Sequence, residues 1–336
     1  MPGRCALLVV LALLAVMVAA CGGDDRASAD ATGWERVVPG GDCTCSDGSE
    51  FSFWMRAADP KKVVLYLQDG GACFSAKTCA PERGLYNVTV DDGPLGEGGI
   101  FDFADERNPF ADHSFVYVPY CTADVHLGNA ATEYGRGLTV EHRGYVNASA
   151  ALRRLAASFP GASEVVVVGE SAGSVAAPFY AGLASERLPD ARITALAHGS
   201  GSYPDAPALN RLLTDAWGFG KGRSFPGLFI DSGRQNPKIV FARFDHAYDE
   251  TQAQWYPNLG IPAGDLRSRI DANEARIEQA GINLLSYVAP GNEHVILADG
   301  SFYTREVNGE RLVDWVAGLI QGKAVEDVHC HRCRGG

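Results

Sequence analysis

Gly169-Glu170-Ser171-Ala172-Gly173 forms a G-x-S-x-G pentapeptide near the middle of this 336-residue chain. A serine flanked in this way can sit on a sharp strand-to-helix turn, its Oγ projecting while the glycines let the backbone crowd together. The residues before it, Glu164 to Val168, read EVVVV. Four valines in a row fit a strand buried on both faces inside a parallel sheet. The residues after it, Ser174 to Leu188, are alanine-rich and predict a helix. The N-terminus of that helix would aim N–H groups and a positive dipole end at the serine. A neutral hydroxyl is a poor nucleophile. It needs a base within hydrogen-bond reach, and the base needs an orienting group.

In strand-elbow-helix architectures the partners follow the serine in the order acid, then histidine, on loops after later strands. The histidines after Ser171 are His198, His246, His294, His329 and His331. His294 ends the stretch Pro290-Gly291-Asn292-Glu293-His294, just after the apolar run Ile282 to Ala289, and is the candidate base. His198 follows an earlier strand, His246 stands where the acid is expected, and His329 and His331 lie in a cysteine-flanked tail. Three acids compete for the orienting place: Asp245 and Asp249, both after the apolar run Ile239 to Phe244, and Asp231 in LFIDSG. Pattern leaves that choice open. The oxyanion of a tetrahedral intermediate needs preorganised donors, and losing one costs on the order of 3 kcal/mol in barrier. The amide of Ala172 is one candidate, with the amides of Gly71 and Ala72 after the strand Lys61 to Gln68 as the others.

Elements that could carry these groups alternate along the chain. Strands are predicted at 61–68, 114–120, 164–168, 193–197, 239–244 and, last, 282–289. Helices are predicted at 145–159, 174–188, 264–280 and 311–320. Residues 33–56 read as a hairpin, 87–99 as a surface loop, 128–144 as a long polar segment, and 204–236 as helices and loops inserted over the sheet's rim. This alternation predicts an α/β fold: a mostly parallel central sheet flanked by helices, with inserted segments over the active site, in a single domain spanning 33–336.

The formal net charge is −12. That balance argues against a general attraction to nucleic acid or to an anionic membrane surface. Binding a polyanion would need a local basic groove. Arg4 followed by the apolar run Ala6 to Ala20, short for a membrane span, predicts a signal peptide over 1–20. Its end, Val18-Ala19-Ala20-Cys21, resembles a bacterial lipobox, so Cys21 would become the lipidated first residue. Residues 21–32, rich in Gly, Asp, Ala and Ser, would form a flexible tether to the membrane of a bacterial cell envelope. Beyond it lie seven cysteines, Cys43, Cys45, Cys73, Cys79, Cys121, Cys330 and Cys333, so at least one is free or joins another chain. Disulfides suit an exported protein better than a zinc site built from the CTC and CHRC pairs. No metal or organic cofactor is expected.

Seven strings, in order, resemble the pectin acetylesterase family, which also includes the animal Notum carboxylesterases. They are Cys45 to Ser49 (C-x-D-G-S), Leu67 to Cys73 (LQDGGAC), Gly99 to Asp102 with Asn108 to Phe110, Val118 to Gly128 (Y-C-x-x-D-x-x-x-G), Gly169 to Gly173, Tyr248 to Gln252 ([YF]-D-x-x-Q), and Ala289 to His294. The resemblance implies an α/β-hydrolase-like serine esterase with Ser171 as nucleophile, His294 as base and Asp249 as acid. It also implies disulfides Cys73–Cys79 and Cys45–Cys121. Ala72 stands where plant and animal members usually carry Trp, which leaves the substrate open. The expected substrate is a carboxylic ester, an O-acetyl group on a polysaccharide above all. The alternatives are a lipid-acyl esterase or polyester depolymerase with the same triad, and a non-catalytic glycan-binding surface lipoprotein.

Overall fold

The computed structural model describes residues 33–333 except 91, 92, 95–97, 136 and 332. The expected signal peptide, the tether and Cys21 lie outside the described residues. Among the described residues one sheet holds nine strands. These are β1 (Trp34–Val37), β2 (Phe53–Arg56), β3 (Asp59–Leu67), β4 (His113–Val118), β5 (Glu164–Glu170), β6 (Arg192–His198), β7 (Val240–His246), β8 (Leu284–Ala289) and β9 (Val328–His329). Their order across the sheet is β1-β2-β4-β3-β5-β6-β7-β8-β9. β1 pairs antiparallel with β2, and β2 with β4. The six remaining neighbour pairs are parallel.

The valines of β5 show why this sheet forms. Val165 and Val167 join the apolar layer that contains α1 (Gly144–Ser158) and α2 (Ala172–Arg187). Val166 and Val168 point the other way, into a layer with Leu312, Trp315, Val316 and Leu319 of the helix Leu312–Ile320. All four valines are fully buried. Each contributes on the order of 1.5–3 kcal/mol by leaving water, which only a strand covered on both faces can collect. The i, i+3, i+4, i+7 spacing of 312, 315, 316 and 319 is that of a helix with one apolar face. On α2 the buried positions include Ala176, Ala177, Ala181 and Ala184, small enough to let the helix lie close to the sheet.

Two elements differ from the sequence expectation. The sheet continues past β8 to β9, whose two residues pair with Tyr287 and Val288. The polar segment after Gly128 contains an antiparallel ribbon, Ala130–Glu133 with Thr139–His142. The inserted region folds as α3 (Pro207–Arg211), a π-turn at Leu212–Ala216 and α4 (Phe225–Gln235). Further on come α5 (Glu250–Trp255) and α6 (Leu266–Gln279).

Disulfides join Cys45 to Cys121, Cys73 to Cys79 and Cys330 to Cys333. Cys43 is the free cysteine among the described residues, and it is buried. The sulfurs that a CTC–CHRC zinc site would need are therefore largely committed to disulfides. No helix among the described residues is long and apolar enough to cross a membrane.

Candidate active site

Because β3, β5, β6, β7 and β8 run parallel, the loops that leave their C-terminal ends converge on one rim. Parallel sheets place ligand sites at this rim. The loop after β5 is a single residue, Ser171, held at φ 48° and ψ −111° between strand and helix. Two glycines make that turn possible. A Cβ on Gly169 would lie 2.2 Å from the Gly173 carbonyl oxygen, and one on Gly173 would lie 2.0 Å from that of Leu67. The Ser171 amide donates to the His198 carbonyl at 2.8 Å, which fixes the elbow to β6.

His294 Nε2 lies 2.7 Å from Ser171 Oγ, and His294 Nδ1 lies 2.6 Å from Asp249 Oδ2. Asp249 is fully buried. A carboxylate facing Nδ1 selects the tautomer with its proton there, so Nε2 presents a lone pair to the serine hydroxyl. Asp249 also caps α5, its Oδ1 accepting the Gln252 amide at 2.9 Å. The Gln252 side chain donates to Oδ2 at 2.9 Å. Gln252 Oε1 in turn accepts from the Ser202 amide at 3.1 Å and from the Ser202 hydroxyl. Gln252 was not singled out from the sequence as a site residue, although it closes the Tyr248 to Gln252 string; its part is to hold the carboxylate. The histidine loop is laced to the acid loop by three backbone bonds: Ala247 N–H to Ala289 at 2.9 Å, Tyr248 N–H to Gly291 at 3.1 Å and Glu250 N–H to Asn292 at 3.1 Å.

The competing acids and histidines lie elsewhere. Asp245 is buried against Arg243, Oδ2 to Nε at 2.9 Å, and accepts the Gly201 amide at 2.8 Å. Burial pushes its pKa up to about 6, against the pull of Arg243. Asp231 is part-exposed on α4 and pairs with Arg223 at 3.3 Å. His198 is sealed in the sheet, stacked on Phe244. His246 is fully buried, with its nearest charged partner, Glu293, at 3.8 Å. His329, the last residue of β9, faces Glu274 at 3.4 Å. The group Asp271, Glu274 and His329 could hold a cation, but Arg243 stands 3.5 Å from the same Glu274 and opposes one.

Gly71, Ala72 and Ala172 line the same cavity as Ser171. Ala172 is the first residue of α2, where an N–H has no acceptor within its own helix. Gly71 has φ 78°, and a Cβ there would lie 2.0 Å from the Leu85 carbonyl oxygen, so only glycine fits. The Cys73–Cys79 disulfide closes this loop. Cys73 donates its amide to Ala123 at 3.0 Å, and its carbonyl accepts from Trp217 Nε1 at 2.8 Å.

The cavity itself measures about 40 Å³ and has mostly apolar walls that include Val125, Val175, Leu209, Trp217 and Phe225. Val125 belongs to a strained turn: Ala123, Val125 and His126 all have positive φ, at 58°, 51° and 60°. Such residues cost of order 1–3 kcal/mol each and persist only where their surroundings hold them. The buried Asp124 carboxylate does so, accepting from Thr122 Oγ1 and from the Gly144 amide, each at 2.7 Å. Asp124 was visible as the Asp of Y-C-x-x-D, without a role attached to it.

The fold is mixed α/β with a large, mostly parallel sheet, and its candidate site lies at the C-terminal rim. The family model described as Pectinacetylesterase matches residues 37–214, more than half of the chain, and the chain belongs to that family. Curated relatives carry the Notum name. The chain is 32% identical over 92 residues to a palmitoleoyl-protein carboxylesterase NOTUM of Schmidtea mediterranea, covering 25% of this chain and 18% of that protein. It is 28% identical over 94 residues to palmitoleoyl-protein carboxylesterase notum2 of Xenopus laevis, covering 26% of this chain and 19% of that protein. A relative named as inactive, palmitoleoyl-protein carboxylesterase notum1b of Danio rerio, is 26% identical over 118 residues, 33% of this chain and 82% of its own. The chain thus spans less than a fifth of the length of the first two.

Proposed function

We propose that this chain is an exported serine carboxylesterase of the α/β-hydrolase type, with Ser171 as nucleophile, His294 as general base and Asp249 as the acid that orients it. One observation carries the reading: an unbroken line of hydrogen bonds from Ser171 Oγ through His294 to Asp249 Oδ2, 2.7 and 2.6 Å long. Ser171 Oγ attacks the ester carbonyl carbon while Nε2 takes its proton. The oxyanion that forms is held by the amides of Ala172, Gly71 and Ala72. His294 then returns the proton to the leaving alkoxide, and the alcohol departs. Water, activated by the same imidazole, releases the acid from the acyl-serine. The negative charge of Asp249 stabilises the imidazolium in both halves.

The acyl group is small in this reading. A cavity of about 40 Å³ holds only a few water-sized groups, enough for an acetyl chain in an apolar setting. An O-acetyl ester on a carbohydrate fits that size. The palmitoleoyl group in the names of the relatives favours a lipid-acyl substrate instead, but it would need a much longer apolar channel. Export is supported by the three disulfides, and the Cys21 lipid anchor rests on the Val18-to-Cys21 sequence. The test is hydrolysis of p-nitrophenyl esters from C2 to C16 by wild type and Ser171→Ala, with fluorophosphonate labelling alongside. Serine-dependent activity peaking at C2 is the expected result. A folded wild type that neither turns over any ester nor takes the label refutes the esterase reading and leaves a glycan-binding lipoprotein.

A further inference from the structure

Glu170, the residue before the proposed nucleophile, is almost completely buried, and the catalytic steps above do not use it. Its carboxylate reaches three other parts of the site. Tyr66 of β3 donates its hydroxyl to Oε2 at 2.5 Å. The Leu297 amide donates to Oε1 at 3.0 Å. His198 Nδ1, at the end of β6, lies 3.1 Å from the same Oε1. Burial pushes His198 down to about 3, so this last contact is a hydrogen bond from a neutral ring and not an ion pair.

Leu297 lies three residues beyond His294, and Glu170 directly precedes Ser171. The Glu170–Leu297 bond is therefore a second strap between the two loops that the Ser171–His294 contact must join. Leu297 is gripped from the other side as well, its carbonyl accepting the Ile100 amide at 2.8 Å. Next to His198, the backbone at Gly199 runs so close that a Cβ there would sit 3.3 Å from His294 Cε1. Resting on the esterase reading above, we propose that Glu170 is a positioning residue that ties the histidine loop to the nucleophile strand and so sets the Ser171–His294 separation. Displacing such a pair by about 1 Å can cost roughly 10²-fold in rate.

Glu170→Met fills similar volume but accepts no hydrogen bond, whereas Glu170→Gln can still accept from Leu297 and donate to the Tyr66 oxygen. Steady-state hydrolysis of p-nitrophenyl acetate is measured for wild type, both variants and Ser171→Ala, with the thermal midpoint of each. The Met variant is expected to lose about 10²-fold in kcat with KM within threefold of wild type, and Gln to recover most of that loss. A merely structural residue would not split kcat from KM, nor be rescued in kcat alone. Where the Met variant does not fold, Glu170→Ala, which admits water to the orphaned donors, carries the same test. A folded Met or Ala variant within threefold of wild-type kcat overturns the inference alone. A Gln variant as slow as Met also overturns it, since charge and not strapping would then be what counts. Wild type no faster than Ser171→Ala sinks the esterase reading and this inference with it.

Discussion

Asp249 Oδ2 meets His294 Nδ1 at 2.6 Å, while Asp245, four residues earlier and just as buried, meets Arg243 instead. The two aspartates are separable by experiment. Asp249→Asn keeps the α5 cap through its side-chain oxygen but can turn an N–H toward Nδ1, which selects the wrong tautomer. It is expected to lower kcat by about 10³–10⁴-fold with little loss of stability. Asp245→Asn leaves Arg243 buried with its nearest counter-charge removed. It is expected to cost about 3–5 kcal/mol of stability with kcat unchanged. Ester hydrolysis and urea unfolding of both variants check this, and reversed roles would move the acid to Asp245.

The cavity beside Ser171, where the proposed reading seats the acyl group, yields a second expectation. Leu209 is buried in its wall, on α3. Leu209→Ala removes the branched end of that side chain at a stability cost of about 2–5 kcal/mol, the range for buried leucines. In the proposed reading, the space gained lies beside the acyl chain. The ratio of kcat/KM for butyrate over acetate esters is therefore expected to rise about tenfold, roughly the discrimination one or two methylenes can carry. An unchanged ratio would mean that the acyl chain does not enter this cavity.

The disulfides Cys45–Cys121 and Cys73–Cys79 divide their work. Cys45–Cys121 spans a separation of 76 and Cys73–Cys79 one of 6. Loop-closure entropy alone assigns the first about 4–5 kcal/mol and the second about 2 kcal/mol. Yet Cys73 sits directly after Gly71 and Ala72. Replacing Cys73 and Cys79 by Ala is thus expected to depress kcat more than replacing Cys45 and Cys121, while depressing the urea midpoint less. Equal ratios of activity to stability loss in the two pairs would contradict this division.

Much of the scaffold was legible because its signals are local. The valines of β5 and the glycines around Ser171 announce a buried strand and an elbow without reference to the rest of the chain. His294, the proposed base, was singled out by position, just after the last predicted strand, 282–289. Residue pattern alone left the acid open, because Asp231, Asp245 and Asp249 each follow apolar residues and differ only in distant partners; the resemblance at Tyr248 to Gln252 was what favoured Asp249. One cue was available: Arg243 and Asp245 stand two apart on a strand, hence on one face, where they can pair. The strand β9 escaped notice because two residues carry no periodicity. Glu170 occupies a variable place in G-x-S-x-G, so nothing in the pattern marks its bond to Leu297, 127 positions away. Of the cysteines the resemblance left unassigned, Cys330 and Cys333 pair with each other, which leaves Cys43 free among the described residues.

Asp124 leads to a pH-dependent expectation. Burial pushes its carboxyl up to about 7 in the folded chain, above the ordinary aspartate value of 3.8. Between those two pH values the folded state holds a proton that the unfolded state has released. Stability must then fall as pH rises across that window, by the linkage of proton binding to folding. The buried His126, His142 and His246, each pushed down to about 4, tilt stability in the opposite sense, since there the unfolded state holds the extra proton. Wild-type stability alone would therefore mix both trends. Asp124→Asn keeps the histidines and removes the aspartate, so the histidine terms cancel when the two proteins are compared. The variant loses a constant amount at every pH, because its amide N–H faces the Gly144 donor. On top of that offset, its unfolding free energy relative to wild type is expected to rise steadily from pH 4 to pH 7 and level off above. Urea unfolding of both proteins at half-unit steps of pH gives the difference directly. A difference that stays flat, or that falls with pH, would mean that Asp124 is already ionised in the folded protein at pH 4.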